Sequence, residues 1–489
     1  MGMNAIAQTD RSRWPALYVL CLGVLMIVLD ATIVNVALPD IQDDLGFSQS
    51  SLAWVVNAYL IAFGGLLLLA GRVGDLTSRR GVFLAGLGVF TAASLVCGLA
   101  PSQEVLIGAR FVQGVGGAMT SAVVLGMIVT MFPEPREQAK AIGIYAFVAS
   151  AGGSVGLVAG GVLTEAINWH WIFFVNVPIG LATAAFAMRL LAAEPRAEER
   201  QGADVLGGAL ITAALMLGVY TIVKPAAESG WGATQTLLLG GVSLLLAAAF
   251  VARQATASNP LVPLRIFRSR SVTGANLIQV LSVAGMFGMF FLGSLYMERV
   301  LGYDALELGL AVLPVTVVMG TLSVRFSEPL ITRFGARSIV IPGLALIAAG
   351  LGLFARVPVD GAYLVDVLPT MVLIGAGAGL TFPALMTIAM SGATPSDAGL
   401  ASGLVNTTVQ VGGALGLAVL ATLSATRTQG LIADGASSAS ALTDGYRLAF
   451  AIAALLVAAA IVVALTVLKP DRPAAEPSPH GLELAATEA

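Results

Sequence analysis

Two charged side chains lie in apolar sequence that gives them no obvious water. Asp30 interrupts VLDATIVNVALP (Val28–Pro39), and Arg110 opens the run RFVQGVGGAM (Arg110–Met119). An ionised group at membrane depth costs about 3 kcal/mol on insertion scales. It persists by pairing, by facing a water-filled cavity or, for a carboxyl, by holding a proton, because burial favours the neutral form. Asp30 therefore reads as a proton- or cation-linked site, with a helix-packing hydrogen bond as the alternative. Arg110 must face a cavity or a partner and not lipid, the alternative being a structural cation bonded to carbonyls. Gln113 stands three residues on, shares the Arg110 face and is a candidate polar cavity wall. Asn35 adds polarity beyond Asp30 on the same helix and is a candidate to line a substrate cavity.

Further polar residues recur inside apolar runs. Asn276 and Gln279 form one pair, and Asn406 and Gln410 lie in NTTVQVGGALG; these are candidates to line a substrate cavity. Tyr59, Phe147, Met286 and Phe290 suit large apolar ligands, since methionine adapts to varied shapes; ordinary packing is the competing reading. Among acids near span ends, Glu298 is the candidate for a second proton site or a cation-attracting vestibule. Gly152, Gly156 and Gly160, four residues apart, make a small-residue stripe for close helix contact that slides during a conformational change. His170, between Trp169 and Trp171, reads as part of an interfacial aromatic belt. Cys21 and Cys97 read as small core residues rather than a disulfide. The sequence has no metal-ligand cluster, no nucleophile–base constellation and no G-x-x-x-x-G-K-[ST] loop. It therefore reads as no enzyme, needs no cofactor and no metal, and takes energy for any active transport from an ion gradient. No basic block suggests nucleic acid.

The elements that must position these groups are membrane-spanning helices. Of 489 residues, 57% are hydrophobic and 11% charged, and mean hydropathy is +0.90, against about 25% charged in soluble chains. Fourteen apolar segments, from 16–38 through 171–190 to 446–468, are long enough to cross the hydrocarbon core, with Pro39 ending the first. Loops on one side hold Arg72, Arg79, Arg80, Arg136, Lys140, Arg265, Arg268, Arg333 and Arg337; the other side holds only Lys224, Arg299, Arg356, Arg427 and Arg447. This bias places both termini in the cytoplasm. The loops GRVGDLTSRRG and EPLITRFGARS echo one another, which suggests two homologous six-helix halves. The resulting division is a cytoplasmic tail at 1–13, a bundle at 14–190, a two-helix linker hairpin with flanking loops at 191–270, a second bundle at 271–468 and a disordered cytoplasmic tail at 469–489.

Four stretches carry a family resemblance over about Trp14 to Leu468: LDATIVNVALPDI, GRVGDLTSRR, RFVQGVGGAM and WHWIFFVNVPIG. Together they resemble the major facilitator superfamily, and within it the fourteen-spanner drug/proton antiporters of the EmrB/QacA type. There are departures: Asp75-Leu76 stands where the loop motif has Asp-Arg, and Ser78 takes a glycine's place. Gly156-Leu157 lacks the proline of the fifth-helix antiporter motif, and His170 replaces an arginine. The resemblance implies an all-α integral membrane protein with two six-helix bundles plus two extra central helices. It also implies a monomer in the bacterial cytoplasmic membrane, in contact with lipids, that exchanges protons for small-molecule substrates. By the same resemblance, Asp30 pairs with Arg110 in proton coupling, while Gly71, Asp75, Arg79 and Arg80 latch the two halves. The expected function is proton-coupled efflux of amphipathic or cationic drugs by alternating access. A dedicated exporter of one antibiotic or metabolite, and a lipid-moving or scaffolding protein without antiport, are the alternatives.

Overall fold

The computed structural model describes residues 10–132, 134–191, 204–391 and 398–468. The tail expected at 469–489 and most of that at 1–13 lie outside the described residues. Lipid offers backbone groups no partners, so each span satisfies its own as a helix. The first half comprises α1 (Asp10–Leu45), α2 (Gln49–Leu76), α3 (Arg79–Gly98), α4 (Gln103–Met131) and α5 (Pro135–Ala166), then the short α6 (Trp171–Phe174) running into α7 (Asn176–Leu190). A hairpin follows: α8 (Val205–Thr221), the one-turn α9 (Ala227–Ser229) and α10 (Thr234–Thr256). The second half comprises α11 (Arg270–Arg299), α12 (Ala305–Thr321) continued by α13 (Ser327–Phe334), α14 (Ala336–Phe354), α15 (Leu368–Ser391), α16 (Ala398–Ala433) and α17 (Ser438–Thr466). Among the described residues, 13 helices are long and apolar enough to cross a membrane, and α5 adds a further 32-residue helix.

Sequence signals set the helix starts. Ser48, Ser78, Ser102, Ser269 and Ser437 each accept a backbone N–H from the first turn of the helix that follows. Asp304 and Glu307 form a reciprocal capping box at α12. Gly302 turns the chain between α11 and α12 at φ 76°, a conformation that side chains with a Cβ disfavour. One expected stop fails. α1 runs through Pro39 to Leu45, because proline removes a single helical donor while polar Gln42, Asp43 and Asp44 carry the last turns towards the surface. The helix also begins at Asp10 rather than near 16.

Packing repeats between the halves. α3 lies on α4 as α14 lies on α15; α2 on α4 as α12 on α15; α1 on α5 as α11 on α16. Across the centre α2 packs on α16, and α12 packs on α5. The α3–α4 seam joins Gly86 to Gly116 and Thr120; the α14–α15 seam joins Gly343 to Gly377 and Thr381 in the same relation. These contacts bring backbone against backbone, as expected where lipid supplies no hydrophobic drive between helices.

The hairpin of α8 and α10 rests on α2 and is tied at its base by Asp204, 4% exposed. Asp204 accepts from Gly207 N–H (3.0 Å), Arg253 Nε (3.0 Å) and Gln254 Nε2 (2.9 Å). Gln254 Oε1 then accepts the N–H of Val262 (3.0 Å), which holds the chain after α10 against the body. Leu261, Val262 and Ile266 pack there with Leu68 and Leu69 of α2 and Leu404 of α16. Burial pushes the Asp204 carboxyl up, but the Gly207 N–H, Gln254 and Arg253 outweigh it and hold the group below its ordinary value.

Two outcomes follow. A Cβ at Gly116 would stand 2.5 Å from Phe90 N and 2.8 Å from Gly86 O, neither of which can yield. Gly116→Val should cost about 1–3 kcal/mol, read as a lowered melting temperature in detergent, with Gly108→Val, which meets nothing within 4 Å, as the neutral control. The depressed Asp204 pKa contributes stability that is full above the unfolded-chain value and is lost as pH falls through the folded one. Asp204→Asn should therefore melt below wild type at neutral pH, with the difference closing once pH drops below about 4.

Candidate functional site

Asp30 is 0% exposed, and the residues around it leave neither oxygen unsatisfied. Its Oδ2 accepts from Arg110 Nη1 at 2.5 Å; its Oδ1 accepts from Gln113 Nε2 (2.7 Å) and Asn176 Nδ2 (2.8 Å). Arg110, also fully buried, spends Nε on the Val55 carbonyl (2.9 Å) and shares Nη1 with Gln113 Oε1 (2.6 Å). Gln113 donates onward to Ser94 (2.8 Å). Helices α1, α2, α3, α4 and α7 each supply a partner. Two buried charges persist together only when both are paired and hydrogen-bonded, and here they are.

The Arg110 guanidinium also lies over the ring of Tyr59, 4.4 Å from its centroid, with Phe173 at 5.7 Å. Tyr59 is 2% exposed and lines a cavity of about 910 Å³. One aromatic ring thus touches both the ion pair and the cavity. The cavity runs between the halves from Ala31 and Thr32 on α1 and Asn406 and Gln410 on α16 to Gly71, Arg72 and Arg79 at the basic α2–α3 end. Residues 258–261 and Pro263, after α10, close part of its wall. A second cavity of about 310 Å³, lined by Gln279, Met286, Phe287, Phe290 and Phe382, shares Asn406 with the first.

At the end away from the basic loops the halves meet. Arg299 at the end of α11 donates to both Asp43 oxygens (2.6 and 2.9 Å), Gln42 Oε1 (3.4 Å) and the Pro39 carbonyl (3.2 Å) of α1. Gly161 of α5 sits against Ala305 and Leu306, and Gly309 of α12 against Leu157. The cavity is thus shut at this end and reaches towards the basic end.

Several sequence expectations land elsewhere. Gln113 belongs to the ion pair and does not line either cavity. Asn35 turns back to the Ala31 carbonyl, and Asn276 to the Val272 carbonyl and Thr408. Glu298 lies at the span end where the sequence puts it, beside Arg299 at the closed end. Tyr59, Gln279, Met286, Phe290, Asn406 and Gln410 do line the cavities. The side chains of Phe147 and Asp75 lie outside the described residues. Of the loop group, Gly71 and Arg79 line the cavity rim; Arg79 also donates to Thr130 (2.9 Å), and Arg80 donates to the Met188 carbonyl (2.7 Å). Gly152, Gly156 and Gly160 pack α5 onto Val28, Leu29 and Ile33 of α1, within one half. The glycine of α5 that meets the other half is Gly161. Asn176 went unassigned, although a lone Asn in the apolar run FFVNVP was the available signal. Arg299 had no signal beyond being a cation on the side poor in them.

Known proteins match over most of the chain. The family model of the Major Facilitator Superfamily matches residues 20–417. The puromycin resistance protein of Streptomyces alboniger is 39% identical over 92% of this chain and 91% of its own. The cephamycin export protein of Amycolatopsis lactamdurans is 41% identical over 86% of this chain and 87% of its own. Among solved structures, a bacterial homologue of the human lysosomal transporter Spinster superposes with a TM-score of 0.69 at 18% identity, covering 95% of this chain and all (100%) of that one. The chain belongs to the Major Facilitator Superfamily, a family of multi-pass membrane transporters.

Proposed function

We propose that this protein is a proton-coupled exporter of amphipathic drugs, of the fourteen-spanner drug/proton antiporter type, working by alternating access in a bacterial cytoplasmic membrane. The basic loops and both termini face the cytoplasm in this reading. The cavity then takes substrate from the cytoplasmic side, while Arg299 and Asp43 hold the outer side shut. Names of the relatives, puromycin resistance and cephamycin export, support drug efflux. The observation that carries the coupling is the sealed Asp30–Arg110 pair behind the cavity wall formed by Tyr59.

A proton on Asp30 removes the charge that holds Arg110. A buried guanidinium cannot stay uncompensated, so Arg110 must lean harder on Gln113 and the Val55 carbonyl, and its contact with Tyr59 changes. That shift reaches the substrate at Tyr59, which touches both the pair and the cavity. Deprotonation restores the pair and the wall. The proton gradient is the energy source, and no cofactor takes part. A narrower reading, a dedicated exporter of a single antibiotic, draws on the single-compound names of these relatives; a panel of drugs in a growth assay separates it from broad efflux.

The coupling is tested in inside-out vesicles under an imposed pH gradient. Asp30→Asn, which is permanently neutral there, should make substrate binding independent of pH and lose gradient-driven uptake by at least about tenfold, a barrier change near 1.4 kcal/mol. Normal gradient-driven uptake by Asp30→Asn would sink the coupling.

A further inference from the structure

Asn57 of α2 is fully buried, and neither its amide nitrogen nor its amide oxygen has a partner among the described residues. It lines neither cavity. Its place follows from the seam between α2 and α16. Leu68 lies against Gly403 and Gln410 against Gly64, so the two helices run antiparallel. Asn57 stands about two turns before Gly64, on the same helix face and nearer the closed end. Beyond Gln410 in that direction, α16 offers Ala414, Leu417, Ala418 and Ala421, all fully buried and all apolar. None of them has a polar side chain to meet the amide. Asn35 and Asn276 satisfy themselves on the carbonyl four residues back; Asn57 does not.

A buried amide without partners carries the full desolvation cost of its donors and acceptor. Water would meet all of them once the seam parted. The α2–α16 seam joins the two halves, and Asn57 lies on its stretch towards the closed end. The cost therefore falls on the closed arrangement and is absent from one in which that end is open. A residue shifts an equilibrium only by such a difference between the two states. We infer that Asn57 is a positioning residue of the transport cycle: its unpaired amide destabilises the closed outer side relative to the open one and keeps both populated. An apolar side chain at this position holds the outer side shut. The inference rests on the alternating-access part of the exporter reading and is independent of what is carried and of what drives the cycle.

The separation of the two halves at the closed end tests it. Glu104, at the start of α4, and Asp360, between α14 and α15, are both exposed. Glu104→Cys and Asp360→Cys carry spin labels, and the native Cys21 and Cys97 are buried. Double electron–electron resonance on the full-length protein in lipid nanodiscs, without substrate or pH gradient, should resolve a shorter, closed distance and a longer, open one. Asn57→Leu should move the ratio about tenfold towards the closed distance, the size expected from one unpaired buried group. It should also raise the melting temperature by about 2–4 °C. Asn57→Met, whose flexible side chain fits irregular space, should act in the same direction. If the wild type shows two distances and neither variant moves the ratio, or both variants melt below wild type as loss of a structural hydrogen bond would cause, the inference falls and alternating access stands. A single distance in the wild type removes both.

Discussion

A carboxylate and a guanidinium in contact, both fully buried, constrain much of the first half of this molecule. A buried polar group costs free energy unless it is hydrogen-bonded, so the leftover donors and acceptors of the pair draw partners from the surrounding helices. The Asp30–Arg110 contact therefore recruits Gln113 from one turn along α4, Asn176 from the start of α7, the Val55 carbonyl from α2 and, through Gln113, Ser94 from α3. The helices cannot rotate freely about their axes without breaking one of these bonds. A polar network of this kind contributes register more than raw stability, since a well-packed apolar replacement is often as stable as a buried ion pair.

The rest of the structure is held by closeness rather than charge. Gly86, Gly116 and Thr120 in one half, and Gly343, Gly377 and Thr381 in the other, bring neighbouring helices to backbone contact. Within a half these seams are continuous. Between halves the contacts include α2 against α16, where Gly64 meets Gln410 and Gly403 meets Leu68, the glycine contacts of α5 with α12, and the Arg299 cluster on Asp43, Gln42 and the Pro39 carbonyl. The last is partly exposed, and exposed ion pairs contribute at most about 1 kcal/mol. Two closely packed halves that meet along α2–α16 and α5–α12 are what a rocking motion about a central site requires.

Much of this was legible in the residues. Composition and the length of the apolar runs give the membrane fold, and Asp30 and Arg110 stand out because their charge contradicts their surroundings. Gln113 was visible as a neighbour of Arg110 by helical spacing, but whether its face meets a cavity or a carboxylate depends on the placement of α1, which local spacing does not carry. Asn35 and Asn276 show the limit differently. A polar side chain in an apolar helix can satisfy itself on the carbonyl four residues back, so polarity alone does not point to a ligand. The glycine stripe of α5 has the right spacing for close contact, yet spacing does not say which neighbour is approached. Pro39 marks no boundary, because the polar turn beyond it keeps the helix running.

The chain after α10 deserves a different view of the two additional helices. Residues 258–261 and Pro263 form part of the cavity wall, and they are held there by the Asp204–Gln254–Val262 bonds at the foot of the hairpin. The hairpin is therefore not a spacer that could be excised to leave a twelve-helix version of the same molecule. Its removal would take away a piece of the chamber and the restraint on the loop joining the halves. The hairpin and the chain that follows it thus belong to the chamber as much as the two bundles do.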